Sequence, residues 1–420
     1  MATSRAHLAV VPATDNDVVD LAAIREAHAA REASREAAAH PPARLPRYMP
    51  TTSLEKILRG DRAPTEVQKL DWNEGTIAPP PSVSAAMVAH ITAADGAFLK
   101  WYPQLSGGEA LQRELASYCG VGTENLLVTN GSDDALILLC HGLLGAGKTA
   151  LAPTPTYEHF CVNVVGTGAG LIRFDLDDPF VADSASLVAG ITYHRPSLVY
   201  LVSPNNPTGI EWTTAEVRAL AVRFPDITFV VDEAYHEFGS IDPDTVTATG
   251  HGRPISCAEL AMTMRNVVVT RTFSKAFCLA SVRCGYVIAH PATLDELRPY
   301  YNPKSVNQLA QVAAAAALRE FDGYYRPYIE ATHEARDAFV VDLARRGIDV
   351  RTGGAGNFVC VRVPDGRTAE LCKRLEDDHI YVRDIGARFH GYIRISIGLD
   401  MEPVADALHR ALAVMASERV

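Results

Sequence analysis

The chain has 420 residues, a hydrophobic fraction of 48%, a charged fraction of 21% and a formal net charge of -11. This length is enough for two domains and a large apolar core, and the composition is that of an ordinary globular protein. The negative charge argues against a general nucleic-acid-binding protein, because such proteins usually present a basic face.

The predicted elements divide the chain into four regions. Residues 1–48 are rich in alanine, arginine, glutamate and histidine, and we expect a helical or disordered arm there. Residues 49–75 are expected to form a crossing segment that joins the small domain. Residues 76–305 alternate between apolar strands and helices and form the large ligand-binding domain. Residues 306–420 are expected to form an interdomain helix and a smaller α+β C-terminal domain.

Seven short, apolar, valine-rich stretches of the large domain are typical of strands buried on both faces. These are Leu126–Thr129, Ala150–Ala152, Leu171–Phe174, Leu198–Val202, Thr228–Val231, Val267–Thr270 and Gly285–Ala289. Helical stretches lie between several of them, so the sequence predicts an α/β sheet covered by helices on both faces. Ligands of such sheets bind at the carboxyl ends of the strands.

Polar motifs follow two of these strands. The run Asn130–Asp133 begins a helix, and the free N–H groups of a helix N-terminus suit a phosphate. Plain N-capping by Ser132 or Asp133 explains the same residues and is compatible with phosphate binding. The rigid turn SPNNPTG, which starts at Ser203, could present Asn206 to a ligand.

The motif DEAY ends the strand that starts at Thr228. A buried carboxylate at Asp232 needs a cationic partner or a hydrogen-bond donor, and a protonated ring nitrogen would serve. Tyr235 could donate a hydrogen bond to a phenolate oxygen. Tyr157, in PTPTYEHF, could stack on an aromatic ring, but core packing explains that residue equally well.

The stretch TFSKAFCLASVRCGY contains the main catalytic candidate, Lys275, directly after an apolar strand. A lysine that forms a Schiff base needs a desolvated pocket or a nearby positive charge to lower its pKa. The hydroxyls of Thr272 and Ser274 and the guanidinium of Arg283 could hold a phosphate beside it. Taken alone, the stretch is also compatible with a turn and an exposed lysine.

The run GLLGAGKT, from Gly142 to Thr149, matches the spacing of an ATP-binding phosphate loop. A true phosphate loop connects a strand to a following helix. Here an apolar helix precedes the run and a strand follows it. We therefore interpret the glycines as a helix stop and not as a nucleotide site.

The cysteines and the N-terminus bear on compartment and partners. The eight cysteines are scattered without C-x-x-C spacing, so the sequence suggests neither a zinc site nor a disulfide framework. We expect no apolar run long enough to span a bilayer, and the N-terminus lacks the apolar core of a signal peptide. The sequence therefore predicts a cytoplasmic enzyme with no metal, no membrane and no nucleic-acid partner.

Three motifs in this order, SPNNPTG, DEAY and TFSKAF…R-x-G-Y, resemble those of fold-type I aminotransferases that use pyridoxal 5'-phosphate. The likeness is closest to the histidinol-phosphate aminotransferase branch and runs from about Leu70 to the C-terminus. It implies a large domain with a seven-stranded, mostly parallel sheet and a smaller α+β domain. It also implies a transaminase that moves an amino group between an amino acid, or an amine like histidinol phosphate, and a 2-oxo acid.

The resemblance implies a role for each candidate residue. Lys275 would be the Schiff-base lysine and proton shuttle, Asp232 would pair with the pyridine nitrogen, and Asn206 and Tyr235 would hold the ring oxygen. Tyr157 would stack on the ring. The phosphate site would be lined by Ser132, Asp133, Thr272, Ser274 and Arg283. Tyr102 would reach the phosphate of the neighbouring subunit in a homodimer. The substrate would be bound by Arg394, Asn357, Arg383 and Asn73.

The sequence also departs from the family pattern. Cys278 and Ser281 replace glycines of the family motif, and WNEGTIAP matches the usual N-terminal motif only in part. These departures bear on the identity of the substrate and not on the identity of the cofactor. The alternatives are a pyridoxal-phosphate-dependent decarboxylase, lyase, cyclase or oxidase of specialised metabolism, or a non-catalytic ligand-binding protein on the same fold.

Overall fold

The structure, a computed structural model, describes Ile57, residues 67–246 and residues 252–418. These residues belong to one unit of the chain, Met49–Val420. The predicted N-terminal arm, residues 1–48, and most of the predicted crossing segment lie outside the described residues.

The strands of the described residues form two sheets, of seven and five strands. In chain order the strands are β1 Gln68–Leu70, β2 Leu126–Thr129, β3 Thr149–Thr154, β4 Gly170–Asp175, β5 Leu198–Val202, β6 Thr228–Asp232, β7 Val267–Thr272, β8 Gly285–Ala289, β9 Val350–Arg351, β10 Phe358–Arg362, β11 Ile380–Asp384 and β12 Tyr392–Ser396.

Helices connect most of these strands. In chain order the α-helices of the described residues are α1 Pro81–Thr92, α2 Glu109–Cys119, α3 Ser132–Leu143, α4 Glu158–Gly166, α5 Ser184–His194, α6 Thr214–Arg223, α7 Ala258–Thr263, α8 Pro291–Leu297, α9 Gln308–Arg319, α10 Arg326–Arg345, α11 Thr368–Asp377 and α12 Glu402–Ser417.

The large sheet has the strand order β2-β8-β7-β6-β5-β3-β4. Strand β8 runs antiparallel to both of its neighbours, and the other pairs are parallel. The predicted seven-stranded, mostly parallel sheet is therefore confirmed. Its strands could be predicted because they carry apolar side chains on both faces: Val267 and Val269 pack into one core, and Val268 packs into the core on the other face.

The five-stranded sheet has the order β1-β11-β12-β10-β9 and packs around a separate apolar core. The three-residue strand β1 pairs in parallel with β11, so the segment before the large sheet contributes an edge strand here. Across the antiparallel pair β11–β12, Arg383 lies directly opposite Arg394. Residues directly opposite in such a pair project from the same face of the sheet.

The glycine-rich run at Gly142 has the predicted order of elements. Helix α3 ends at Leu143 and strand β3 begins at Thr149, so no helix follows the loop. The amine of Lys148 donates a hydrogen bond of 2.7 Å to the carbonyl of Leu143, at the end of the preceding helix. The predicted order of helix, loop and strand is confirmed, although the residue that caps the helix is Leu144 and not a glycine.

One stretch, Pro81–Lys100, is long and apolar enough to cross a membrane by length and composition alone, so our expectation that no run would pass this test is wrong. The backbone breaks the stretch, because Ala94, Asp95 and Gly96 have φ angles of 50°, 52° and 78°. Helix α1 therefore ends at Thr92. Val83 is buried and Met87 packs against the same core, but several large apolar side chains of the stretch, such as Val88, Leu99 and Phe98, are exposed.

Candidate active site

The predicted polar motifs meet at one edge of the large sheet. Asp232 is the last residue of β6, Thr272 is the last residue of β7, and Ser203 directly follows β5. These three strands are parallel neighbours, so their carboxyl ends lie side by side. The structure thus gathers the residues after each strand at the edge where ligands bind in sheets of this kind.

Asp232 is a buried carboxyl group with a donor on each oxygen. Its side chain is 2% exposed. The hydroxyl of Tyr200 donates to Oδ2 at 2.6 Å, and the backbone N–H of Ala234 donates to Oδ1 at 3.2 Å. Burial raises the pKa of Asp232 to about 6, although the hydrogen bond from Tyr200 opposes this shift. A cation beside this carboxyl would favour its charged form.

Four predicted residues form one chain of hydrogen bonds through the hydroxyl of Tyr235. That oxygen accepts from Asn73 Nδ2 at 3.0 Å and from Asn206 Nδ2 at 3.3 Å. The guanidinium of Arg394 donates to Asn206 Oδ1 at 2.6 Å. Burial lowers the pKa of Arg394, and the positive charge of Arg383 acts in the same direction. An anion would relieve both effects, because it would neutralise the guanidinium.

Lys275 lies beside this chain. Its amine donates a hydrogen bond of 2.8 Å to the carbonyl oxygen of Trp72, and it lies 5.6 Å from the ring centre of Tyr235. The lysine comes three residues after the end of β7, so its position is set by the same strand that carries Thr272. The amine therefore lies beside Tyr235, one of the residues that would hold a cofactor ring.

The second predicted group, which we call the phosphate-binding cluster, comprises Ser132, Asp133, Thr272, Ser274 and Arg283. Arg283 donates to Ser274 Oγ at 3.2 Å and to Asp133 Oδ2 at 3.3 Å. Thr272 donates to Ser274 Oγ at 2.9 Å, and Ser132 is the first residue of α3. A guanidinium, hydroxyls and a helix N-terminus are the donors that a phosphate group requires, so the cluster fits pyridoxal phosphate.

The other predicted residues lie as follows. The hydroxyl of Tyr157 donates to Asp133 Oδ1 at 2.7 Å, which places its ring beside the phosphate-binding cluster. Asn357 is fully buried and donates to the carbonyl of Asn73 at 3.3 Å. Tyr102 is 81% exposed, and its ring lies under the amine of Lys304.

Sequence reasoning missed three contributors to the site. Tyr200, whose hydroxyl reaches Asp232, is the only residue with a polar side-chain atom within the apolar strand β5, and that contrast was an available signal. Ser396 exchanges hydrogen bonds with Asn73. The backbone carbonyls of Asp71 and Trp72 accept from Arg394 and Lys275. Backbone acceptors leave no signature in a sequence.

A substitution at Gly131 tests the phosphate-binding cluster. A Cβ atom there would lie 2.5 Å from the guanidinium of Arg283, and the φ angle of Gly131 is 85°. We expect Gly131→Ala to weaken binding of inorganic phosphate and of pyridoxal phosphate about tenfold, because Arg283 must move away; one such factor corresponds to about 1.4 kcal/mol. Isothermal titration of the cofactor-free protein measures both affinities.

Gly147 provides the matched control for this substitution. It has the same φ angle of 85°, and apart from its chain neighbours no heavy atom of the described residues lies within 4 Å of its Cβ position. Gly147→Ala therefore carries the same backbone strain, on the order of 1 kcal/mol, without the clash. Equal loss of affinity in the two variants would show that Arg283 does not form part of a phosphate site.

The fold and the gathered residues define the class of fold-type I pyridoxal-phosphate enzymes, and comparison with known proteins identifies the family within that class. The family model "Aminotransferase class I and II" matches residues 66–410. The chain therefore belongs to the class I and II aminotransferase family. It is a pyridoxal-phosphate-dependent transaminase near the histidinol-phosphate aminotransferase branch, as the sequence motifs predicted.

Three known proteins illustrate the similarity. The chain is 34% identical to the dihydroxyacetone phosphate transaminase Cj1437c of Campylobacter jejuni over 80% of this chain and 86% of that protein. It is 33% identical to the histidinol-phosphate aminotransferase of Thermobifida fusca over 79% and 86% of the two chains. The crystal structure of histidinol-phosphate aminotransferase from Sinorhizobium meliloti with pyridoxal-5'-phosphate is 26% identical, with a TM-score of 0.74 over 89% and 98% of the chains. These relatives do not favour the alternative of a decarboxylase, lyase, cyclase or oxidase.

Proposed function

We propose that Lys275 is the residue that binds pyridoxal phosphate covalently and that the site transfers an amino group from an anionic amine to a 2-oxo acid. The observation that carries this proposal is the continuous set of contacts from Arg394 through Asn206 to Tyr235, beside the amine of Lys275. This set connects Arg394, whose guanidinium suits a substrate anion, with Lys275, whose amine suits covalent catalysis.

The buried polar groups have complementary roles in this proposal. When bound, pyridoxal phosphate supplies a ring that withdraws electrons from the carbon atom bearing the amino group. Asp232 would hold the ring nitrogen protonated, because a buried carboxylate without a cation is unfavourable. Asn206 and Tyr235 would hold the ring oxygen, and Tyr157 would stack on the ring. The phosphate-binding cluster would hold the phosphate.

Lys275 would have a second role as the proton carrier. With its Nζ atom free once the substrate amine has replaced it, Lys275 would accept the proton from the substrate Cα and give it to a carbon atom of the cofactor. Asp71 and Trp72 hold Arg394 and Lys275 on one backbone segment, which keeps the proton carrier at a constant distance from the substrate anion. Such positioning lowers the entropic part of the barrier.

We further propose that one substrate carries a phosphate group. Arg383 and Arg394 lie opposite each other on one face of the five-stranded sheet, and two guanidinium groups suit a dianion better than a single carboxylate. The names of the two relatives described above both contain a phosphorylated compound. Asn357 and Asn73 would contact the same substrate.

The reaction is tested by its dependence on an acceptor. Purified protein loaded with pyridoxal phosphate is mixed with stoichiometric histidinol phosphate or L-glutamate, and the visible spectrum is followed. A transaminase completes one half-reaction and stops, and a 2-oxo acid then restores the starting spectrum. Continuous turnover without a 2-oxo acid, with release of carbon dioxide or ammonia, would contradict the proposal.

We also propose a homodimer in which Tyr102 reaches the partner's site. Seven exposed large apolar side chains lie on α1 and in the segment between α1 and α2, and we call this stretch the 88–105 surface: Val88, Ile91, Phe98, Leu99, Trp101, Tyr102 and Leu105. Contiguous exposed apolar surface of this kind marks protein–protein interfaces. This proposal accounts for the apolar side chains of Pro81–Lys100 that face outward.

Charge on this surface is expected to separate the subunits. In the double variant Leu99→Asp and Trp101→Asp, two carboxylates would be buried without partners, so the dimer should dissociate at micromolar concentration. Sedimentation velocity measures this change. Val222→Asp is the matched control, because Val222 is 67% exposed on α6, apart from the 88–105 surface. A monomeric wild-type protein, or a double variant that stays dimeric, would contradict the proposal.

We also propose a cytoplasmic location for the protein and boundaries between its four regions at residues 48, 75 and 305. The pairing of β1 with β11 supports a segment before residue 75 that joins the small domain.

A further inference from the structure

Three successive backbone carbonyls each accept a hydrogen bond from a different residue of the proposed active site. The carbonyl of Asp71 accepts from Arg394 at 2.5 Å, and the carbonyl of Trp72 accepts from Lys275 at 2.8 Å. The carbonyl of Asn73 accepts from Asn357 at 3.3 Å. The tripeptide Asp71–Asn73 is therefore a common support for groups that come from β12, from the loop after β7 and from the residue directly before β10.

The conformation of this tripeptide depends on its surroundings. Asn73 has a φ angle of 54°, in the left-handed region, and its side chain is fully buried. A residue other than glycine adopts this region only where other contacts hold it, although asparagine tolerates it better than most. A specific contact must therefore hold Asn73.

Ser396 makes that contact. Its Oγ atom accepts from the backbone N–H of Asn73 at 2.9 Å and donates to Asn73 Oδ1 at 2.7 Å. Ser396 is 1% exposed and lies on β12, two residues after Arg394. It thus fixes both the backbone and the side chain of a residue 323 positions away.

The same hydroxyl fixes the orientation of the Asn73 amide. Because Oδ1 accepts from Ser396, Nδ2 is the atom that points the other way, and it donates to the hydroxyl of Tyr235 at 3.0 Å. Without the serine hydroxyl, the amide could turn over, because its oxygen and nitrogen ends have the same shape. Tyr235 would then face an acceptor instead of a donor.

We propose that Ser396 is a positioning residue: through Asn73 it sets the tripeptide Asp71–Asn73, and thereby the place of the Lys275 amine and the donor that faces Tyr235. Ser396 itself makes hydrogen bonds to Asn73 and touches no reacting group in this arrangement. The inference rests on the proposed function, because it takes Lys275 as the residue that binds the cofactor.

The test measures how fast cofactor-free protein attaches pyridoxal phosphate covalently, at saturating cofactor so that phosphate affinity does not enter. It needs no amino substrate. Ser396→Ala removes the hydroxyl and should slow attachment about tenfold, the factor that corresponds to one lost hydrogen bond of ordinary strength. Ser396→Thr keeps a hydroxyl at this position and should attach the cofactor within about threefold of the wild-type rate. This difference is well separated from the tenfold loss expected for Ser396→Ala.

Two further variants separate positioning from general stability. Thr293→Val removes a buried hydroxyl that donates to the carbonyl of Arg265 at 2.7 Å, and it should leave the attachment rate unchanged. Asn73→Gly removes the side chain but tolerates the left-handed backbone. The effect of Ser396→Ala should be smaller in the Asn73→Gly background than in the wild type, because part of the interaction partner is already gone.

Hydrogen exchange of the backbone amide of Asn73 supplies the second readout. Ser396→Ala should expose this amide to exchange, and Ser396→Thr should protect it again. The proposal is overturned if Ser396→Ala attaches the cofactor at the wild-type rate although the amide has lost protection. It is also overturned if Thr293→Val slows attachment as much, or if the two substitutions at 73 and 396 act independently. Covalent attachment in Lys275→Ala would instead refute the proposed function, whatever the Ser396 variants do.

Discussion

Lys275→Ala is expected to lower turnover by roughly 10⁴-fold or more, because one amine provides both the covalent link and the proton carrier. The folded protein should survive the change, since among the described residues the amine makes one hydrogen bond, to the carbonyl of Trp72. Stopped-flow absorption of the loaded protein with histidinol phosphate and with L-glutamate measures the loss.

Lys148→Ala is the matched control for this substitution. Lys148 is exposed, lies in the glycine-rich run that resembles a phosphate loop, and contacts the end of α3. Turnover should not change, because that run lies between a helix and a strand and not at the active site. Wild-type activity in Lys275→Ala, or loss of activity in Lys148→Ala, would refute the account of the chemistry.

Asp232→Asn is expected to have two opposite effects. Turnover should fall by about 10²-fold or more, the usual cost of removing a preorganised charge from a buried catalytic site. The cofactor-free protein should become more stable at neutral pH, because the substitution removes a buried carboxyl whose partners in the described part of the chain are neutral donors, Tyr200 and the N–H of Ala234.

The pH dependence follows from the direction of the pKa shift. Burial raises the pKa of Asp232 from 3.8 to about 6 in the folded protein. The folded state therefore binds this proton more tightly, and the stability from this group is present below about pH 4 and is lost as the pH rises through about 6. The wild type and Asp232→Asn should thus have similar stability near pH 4, and they should differ by at most about 3 kcal/mol above pH 7.

Chemical denaturation of the cofactor-free proteins at several pH values measures this difference. Asp295→Asn serves as the control, because Asp295 is an exposed residue of α8 that pairs with Arg298, and its removal should change stability by about 0.5 kcal/mol or less. A stability gap that is independent of pH would show that Asp232 does not titrate in this range.

The large sheet could be predicted from the sequence because the signal for each strand lies within the strand itself. Strands β5 and β6 are largely apolar runs, and polar residues stand at their carboxyl ends. Lys275, Asp232 and Asn206 stand at the ends of such runs, so their meeting at one edge follows from the parallel order of the strands.

Other features could not be predicted because they depend on distant or backbone contacts. Strand β1 has only three residues and exists because it pairs with β11, more than 300 positions away. The contact between Ser396 and Asn73 joins residues that are 323 positions apart, and no sequence pattern in either segment predicts it. The break after α1 includes Ala94, whose φ angle of 50° is one that alanine rarely adopts, so this residue gives no signal of the break.

Reductive trapping tests the central claim most directly. Cofactor-free protein is incubated with pyridoxal phosphate, reduced with sodium borohydride and digested, and the modified peptide is identified by mass spectrometry. The account predicts one adduct, on Lys275, at a stoichiometry near one per chain, and none at that peptide in Lys275→Ala. An adduct on another lysine, or no specific adduct, would contradict it.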